Sequence, residues 1–216
     1  MNLALAPYPD QKATWPKAGR HIMAQYDDEG IVVYQAYRPD IGHFAAEHGY
    51  FGGAFSYERM SWIKPNFLWM VYRSGWGTKP NQEVTLAVRL RRSFFEALLA
   101  ESVESSYRGA PFASKQAWQA ALKGSAVRLQ WDPDHHPSGA KLERRALQLG
   151  LRGATLRRYG RDEILSVTDI SAFVAEQRVH VQAGHLGELS VPVERPFVPA
   201  DVATRMRLRL DSPAGS

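Results

Sequence analysis

Two spacings of apolar residues alternate along this chain, and together they lay out its elements. Residues 21–26 and 31–37 are β-branched and aromatic runs separated by "DDEG", which predicts a hairpin. Pro39 and Asp40 open a helix that Gly49 closes. The paired glycines of "YFGGAFSYERMS" predict a loop. A second helix is expected from Pro65 to Gly75 over the dense apolar run "NFLWMVYRS". Residues 83–92 alternate as a strand. Residues 93–107 follow as a helix, with Ser93 and Glu96 in capping-box spacing. A shorter amphipathic helix is expected over 114–124 and a strand over 126–133. Residues 143–160 predict a strand with a bulge at Gly150, then a helical turn. A strand at 162–171 leads into "AFVAEQ". "RVHVQAG" (178–184) and "TRMRLRLD" (204–211) alternate as edge or surface strands.

Helices and strands mix without a βαβ rhythm. The expected fold is α+β, a single domain with a mainly antiparallel sheet that can be split in two, flanked by helices. Residues 1–18 are expected as an extended arm, 19–210 as the domain and 211–216 as a flexible tail. The length of 216 residues is enough for one substantial core, and 44% hydrophobic with 23% charged residues excludes wholesale disorder. No apolar run reaches the roughly 18 residues a membrane span needs. The N-terminus lacks the basic lead and apolar core of a secretory signal. Cysteine is absent, so disulfide and thiolate chemistry are excluded, which fits a cytoplasmic setting. A net charge of +5 favours anionic partners such as nucleotides, DNA or RNA.

Candidate chemistry centres on "WIKPNFLWMVYRSGWGTK", residues 62–79. A helix apolar nearly all round belongs in the core, which accounts for Phe67, Leu68 and Val71. It does not account for Lys64, Arg73 and Lys79, which bracket the helix beside Ser74, Gly75 and Gly77. Arginine brings a planar fork for phosphate and lysine a point charge. Trp62 and Trp76 either stack on a flat ring or pack at the rim. In "VVYQAYR", Val33, Gln35 and Tyr37 share one strand face. Gln35 either bonds a ligand or satisfies a neighbouring loop. Glu163 at the mouth of the 162–171 strand is either a base or cation stabiliser, or a solvated strand end. Arg152, Arg157 and Arg158 form a phosphate clamp or a solvated basic turn. Arg205, Arg207 and Arg209 read as a nucleic-acid-facing stripe or as edge protection. His135 and His136, and His43 and His48, lack metal-ligand spacing, so no metal is expected.

"RHIMAQYDDEGIVVYQAY", "FSYERMSWIKPNFLWMVYRSGWGTK", "VRLQWDP", "LQLGLRG" and "ILSVTDI" together resemble the domain of unknown function 4291 family, from about residue 20 to about residue 175. That family implies no established activity. The order of elements is also similar to the ADP-ribosyltransferase superfamily. Its members carry a His or Arg on an early strand, an aromatic or Ser-bearing segment next, and a late strand whose Glu supports the ribosyl cation. Here Gln35, Tyr37 or Arg38 stands where that His or Arg is usual, and no Ser-Thr-Ser follows. This resemblance implies NAD as co-substrate and an anionic acceptor such as nucleic acid. Its catalytic set would be Glu163, Tyr37 and Gln35. The dinucleotide would be held by Trp62, Lys64, Arg73, Ser74, Trp76, Lys79, Arg38 and Arg152. The competing expectation is a non-catalytic nucleotide or nucleic-acid binder using the same aromatic and basic cleft, and a protein interface is the third.

Overall fold

The runs 31–37 and 84–91 are apolar on both faces, so they need cover on both sides. The computed structural model, which describes residues 3–109 and 111–212, supplies it. In chain order the elements are β1 (Leu5–Pro7), α1 (Tyr8–Thr14), β2 (Gly19–Arg20), β3 (Ile22–Ala24), β4 (Gly30–Tyr37), α2 (Pro39–His48), β5 (Ser61–Ile63), α3 (Phe67–Ser74), β6 (Val84–Arg91), α4 (Arg92–Glu101), β7 (Val103–Glu104), α5 (Lys115–Gly124), β8 (Val127–His135), β9 (Lys141–Leu151), α6 (Gly153–Arg161), β10 (Ile164–Asp169), α7 (Ser171–Ala183), β11 (Ser190–Pro192), β12 (Arg195–Phe197) and α8 (Val202–Leu208).

Strand β6 is central to one antiparallel sheet, with β4 and β10 on its two edges. Alternation divides its side chains between two cores. Ile31, Val33, Leu86, Val88 and Leu90 face a core with Phe94, Phe95 and Leu98. Val32, Tyr34 and Ala87 face a second core with Phe67, Leu68 and Val71. The other main sheet is built on the antiparallel pair β8 and β9. Strands β2 and β5 add to β9, and β7 to β8; the β2 and β7 pairings are short and parallel. One backbone bridge joins the two sheets: Tyr34 N–H donates to the Lys64 carbonyl at 2.7 Å, and Lys64 N–H to the Tyr34 carbonyl at 3.2 Å. The architecture is α+β and mainly antiparallel.

Several local expectations are corrected. Residues 178–184 are helical, within α7, and Gly184 ends that helix in the left-handed region at φ 74°. Val174 and Gln177 are buried three apart while Val179 is 60% exposed, so the apparent alternation coincides with a helical face. Residues 204–208 are helical too. The Asp201 carboxylate accepts from the Thr204 N–H at 2.8 Å, an N-cap, and Thr204 and Leu208 are buried four apart. The arm expected to be extended over 1–18 holds β1, paired with β11, and then α1, which Pro9 helps to start. Helix α4 stops at Glu101, not near 107. Its N-cap is Arg91 without a side-chain cap bond, and Glu96 instead accepts from Arg92 Nε at 3.2 Å. Gly150 sits in regular register with Trp62 and Arg128, and the bulge lies near Pro133 instead. A Cβ at Gly150 would stand 2.7 Å from Met60 Sδ and 3.0 Å from the Trp62 ring. That close approach, not a bulge, is what requires glycine. Residues 213–216 of the expected tail lie outside the described residues.

Helix α3 is held at its start by two side chains. Asn66 Oδ1 accepts from the Trp69 N–H at 2.7 Å. Glu194, distant in sequence and buried, accepts from the Phe67 N–H at 2.6 Å and from Asn66 Nδ2 at 3.0 Å. Burial pushes the Glu194 carboxyl up to about 8 despite these donors. A carboxyl raised on folding binds a proton more tightly in the native state, so stability falls as pH rises from its unfolded value towards 8. His21, His135 and His136 are shifted down by burial, so their contributions rise with pH and are complete by about 6.5. Urea denaturation should therefore show unfolding free energy falling between about pH 6.5 and 8, by up to about 1.4 kcal/mol per pH unit. Glu194→Ala should be less stable overall and lose that slope; an unchanged slope would assign it to another group.

Candidate functional site

Strand β5 is three residues long, and its alternation sends neighbouring side chains to opposite sides. Ser61 and Ile63 are buried on one side, and Trp62 and Lys64 point to the other. Two clefts result. The first, of about 460 Å³, is lined by Trp62, Lys64, Trp69, Arg73, Gln130, Asp132 and Gln148. The second, of about 510 Å³, is lined in part by Tyr37, Arg38, Ser56, Arg59, Ser61 and Asn81.

In the first cleft Lys64 is only 6% exposed. Its ammonium group has no hydrogen-bond or ion-pair partner among the described residues. Burial lowers its pKa to about 8, with the Arg73 guanidinium lowering it further and Asp132 opposing. Arg73, in the last turn of α3, is exposed and also lacks a side-chain partner among the described residues. Asp132 is committed elsewhere: Gln130 Nε2 donates to Oδ1 at 2.8 Å and Gln148 Nε2 to Oδ2 at 2.7 Å. These three residues come from the paired strands β8 and β9, where Gln130 faces Gln148 across the ladder. Trp62 is half-buried. Trp69 is buried against His135 and Tyr72, with ring centroids 5.2 and 5.6 Å away, and its indole N–H has no hydrogen-bond partner among the described residues. The cleft thus presents two cations without hydrogen-bonded or ion-paired partners among the described residues, one carboxylate held by two amides, and two indoles, a net positive surface suited to a flat anion.

Of the residues singled out from the sequence, Trp62, Lys64 and Arg73 meet in this cleft. Tyr37 and Arg38 line the second one, where Arg38 Nε pairs with Asp40 at 2.7 Å. Gln35 is buried behind it and satisfies both its ends within the protein. Ser74, Trp76 and Lys79 build the end of α3. Ser74 Oγ accepts from the Gly77 N–H at 3.3 Å. Trp76 sits at φ 57° and donates its N–H to the Val71 carbonyl at 2.7 Å. Lys79 Nζ donates to the Arg73 carbonyl at 2.6 Å. Their place is to fix the turn that holds Arg73. Arg152 donates to the Ser125 carbonyl at 2.8 Å and to the Lys123 carbonyl, tying α6 to the end of α5. Glu163 lines neither cleft: Arg158 holds it at 2.7 Å and Arg91 lies at 3.9 Å. Gln130, Asp132 and Gln148 lie in the "VRLQWDP" and "LQLGLRG" stretches that carry the family resemblance, but nothing in those stretches marked them as site residues; the β8–β9 register brings them to Lys64. Among the described residues no group of three or more His, Asp or Glu is placed to hold a metal ion, and no helix is long and apolar enough to cross a membrane.

A buried, unpaired ammonium costs stability wherever it stays charged. Its folded pKa of about 8 lies below its ordinary 10.5, so the native state binds its proton less tightly than the unfolded chain. The cost is full below about pH 8 and disappears by about pH 10.5. Lys64→Met should therefore be more stable than the parent by up to about 3 kcal/mol at pH 7 and by almost nothing near pH 10.5. Urea midpoints at the two pH values check this. A destabilised variant at pH 7 would mean that the ammonium has a protein partner in solution.

No curated protein matches the chain. The family described as Domain of unknown function (DUF4291) matches residues 21–197, which include β5, α3, β8 and β9 and so every residue lining the Lys64 cleft. The chain belongs to the DUF4291 family.

Proposed function

We propose that this protein binds a nucleotide in the Lys64 cleft, with phosphate on Lys64 and Arg73 and the base or nicotinamide ring against Trp62. One observation carries this: a lysine only 6% exposed, its ammonium without a hydrogen-bonded or ion-paired partner among the described residues, beside a second unpaired cation. A chain that buries such a charge gives up stability, and a bound anion returns it. Phosphate matches both donor types, a point charge and a planar fork. The net charge of +5 draws the same class of ligand and leaves single-stranded nucleic acid as a natural source of it.

A second reading, NAD-dependent transfer of ADP-ribose to an anionic acceptor, is favoured by one feature of this cleft. Asp132 is fixed by two glutamine amides on the same surface as Lys64 and Arg73. With the pyrophosphate on the cations, this carboxylate would face the nicotinamide ribose. The glycosidic C–N bond would break with its electron pair leaving on nicotinamide, Asp132 would stabilise the oxocarbenium charge, and the acceptor would attack that carbon. Glu163, the carboxylate expected from the sequence, is tied to Arg158 instead.

Titration calorimetry with AMP, NAD and a labelled single-stranded oligonucleotide at two salt concentrations tests the binding. Lys64→Met and Arg73→Ala should each weaken it at least tenfold with the fold intact, and Glu163→Ala should leave it unchanged. Parental stoichiometry and affinity together in Lys64→Met would remove the proposal. Nicotinamide release from NAD decides the second reading: release that survives Asp132→Asn undiminished would exclude the transfer chemistry described.

A further inference from the structure

The second cleft lies on the opposite side of β5 from Lys64, and counting protons shows what it offers. Gln35 Nε2 faces three acceptors: Tyr37 Oη at 2.8 Å, Ser61 Oγ at 2.9 Å and the Trp62 carbonyl at 3.1 Å. The carbonyl fixes the orientation of the amide, because only its NH2 end can meet a carbonyl oxygen. The other end agrees: Tyr159 Oη donates to Gln35 Oε1 at 2.5 Å. The amide therefore spends both its protons on these oxygens. Tyr37 Oη and Ser61 Oγ stand 2.6 Å apart and share a single proton between them. Two hydroxyls own two protons, so one is left over. Ser61 is 9% exposed, and both hydroxyls belong to side chains that line the cleft. Burial keeps the Tyr37 phenol well above its usual range, so it remains a donor.

The rest of the lining points to the same kind of ligand. Arg59 has no hydrogen-bond or ion-pair partner among the described residues. Arg38 and Ile41, at the start of helix α2, also line the cleft, but that turn offers few free donors: Pro39 has no N–H, and the Ile41 and Gly42 N–H groups donate to the Arg38 carbonyl at 3.1 and 3.0 Å. Asn81 also lines the cleft. The acidic neighbour, Asp40, is engaged by Arg38.

We infer that this cleft is a second binding site, separate from the Lys64 cleft, and that it takes a phosphate monoester through Arg59 and the spare hydroxyl proton of the Tyr37–Ser61 pair. A phosphate monoester has several oxygens to meet a guanidinium fork and a hydroxyl donor together. It can come from a free mononucleotide or from the 5′ end of a nucleic acid.

The pair makes an unusual prediction. Removing either hydroxyl frees the other to donate, so Ser61→Ala and Tyr37→Phe should each keep the site within about threefold. The double variant has no spare proton and should lose at least tenfold. Arg59→Ala, an exposed change that leaves the network alone, should lose as much. Calorimetry with AMP reads this directly. The parent should take two equivalents, Arg59→Ala should retain the one that responds to Lys64, and Lys64→Met should retain the one that responds to Arg59. Because the two equivalents answer to different residues, failure of the Lys64 site and failure of this one look different. A 5′-phosphorylated oligonucleotide that binds in an Arg59-dependent way, beside an unphosphorylated one that does not, would assign the ligand to a strand end. AMP binding without that difference would assign it to a free nucleotide. Two equivalents persisting in Arg59→Ala would overturn the inference. So would a single equivalent in the parent that is lost in Lys64→Met. If circular dichroism shows the double variant unfolded, Arg59→Glu decides alone: retained binding of the Arg59 equivalent rejects the site.

Discussion

The pair of backbone hydrogen bonds between Tyr34 and Lys64 is the joint on which the two sheets depend. Strand β5 is too short to be stable alone, and it borrows order from both sides: β9 along one edge and β4 at this single bridge. That position has consequences in both directions. On the β4 side, the bridge places a residue of the β5 segment beside the buried Tyr34, so the Lys64 side chain enters the fold at a depth where lysine is rarely found. On the β9 side, the register of Trp62 with Gly150 lets an indole lie flat over the sheet, because no side chain occupies position 150.

The helix that follows β5 converts this placement into a site. Asn66 and Glu194 hold its start, and Gly75, Ser74 and Lys79 finish it. A helix fixed at both ends carries Arg73 at a set height above β5. The polar residues of its ends are structural, although they are the types of residue that bind ligands elsewhere. Residue type alone does not separate the two uses. What separates them is whether the hydrogen-bonding capacity is spent inside the protein. Lys79, Arg152 and Glu163 have spent theirs; Lys64, Arg73 and Arg59 have not.

That distinction also explains how far the sequence could be read. Elements whose boundaries are set by local chemistry were legible: the α2 helix between Pro39 and Gly49, the α3 stop at Gly75, and strand β4; β6 was read as a strand too, but the alternation expected there gives way to burial of Val84–Val88 on both faces. Residues 178–184 and 204–208 were not, because "RVHVQ" and "TRMRLRL" alternate by coincidence and the deciding signals were Gly184 and Asp201 at their ends. Half of the Lys64 cleft was legible because Trp62, Lys64 and Arg73 lie within one short stretch. The other half was not, since Gln130, Asp132 and Gln148 reach it only through a strand pairing that no local pattern encodes.

The same short strand divides the candidate chemistry between two surfaces. Alternation along Ser61, Trp62, Ile63 and Lys64 means that one residue of register separates a hydroxyl facing one cleft from an indole facing the other. The two clefts therefore share one strand. Gln35 accents the coupling, since its amide touches Ser61 on one side and the Trp62 carbonyl on the strand itself. A ligand that drew the Ser61 hydroxyl towards it would act on an amide that also holds the backbone of the Trp62–Lys64 segment. Because the buried Lys64 side chain has no hydrogen-bonded or ion-paired partner among the described residues and only the more distant Asp132 opposes its charge, an anion filling its cleft would relieve a cost the empty fold carries. Both clefts draw on residues of one three-residue strand, and the register of β5 against β9 sets which side chain each cleft receives.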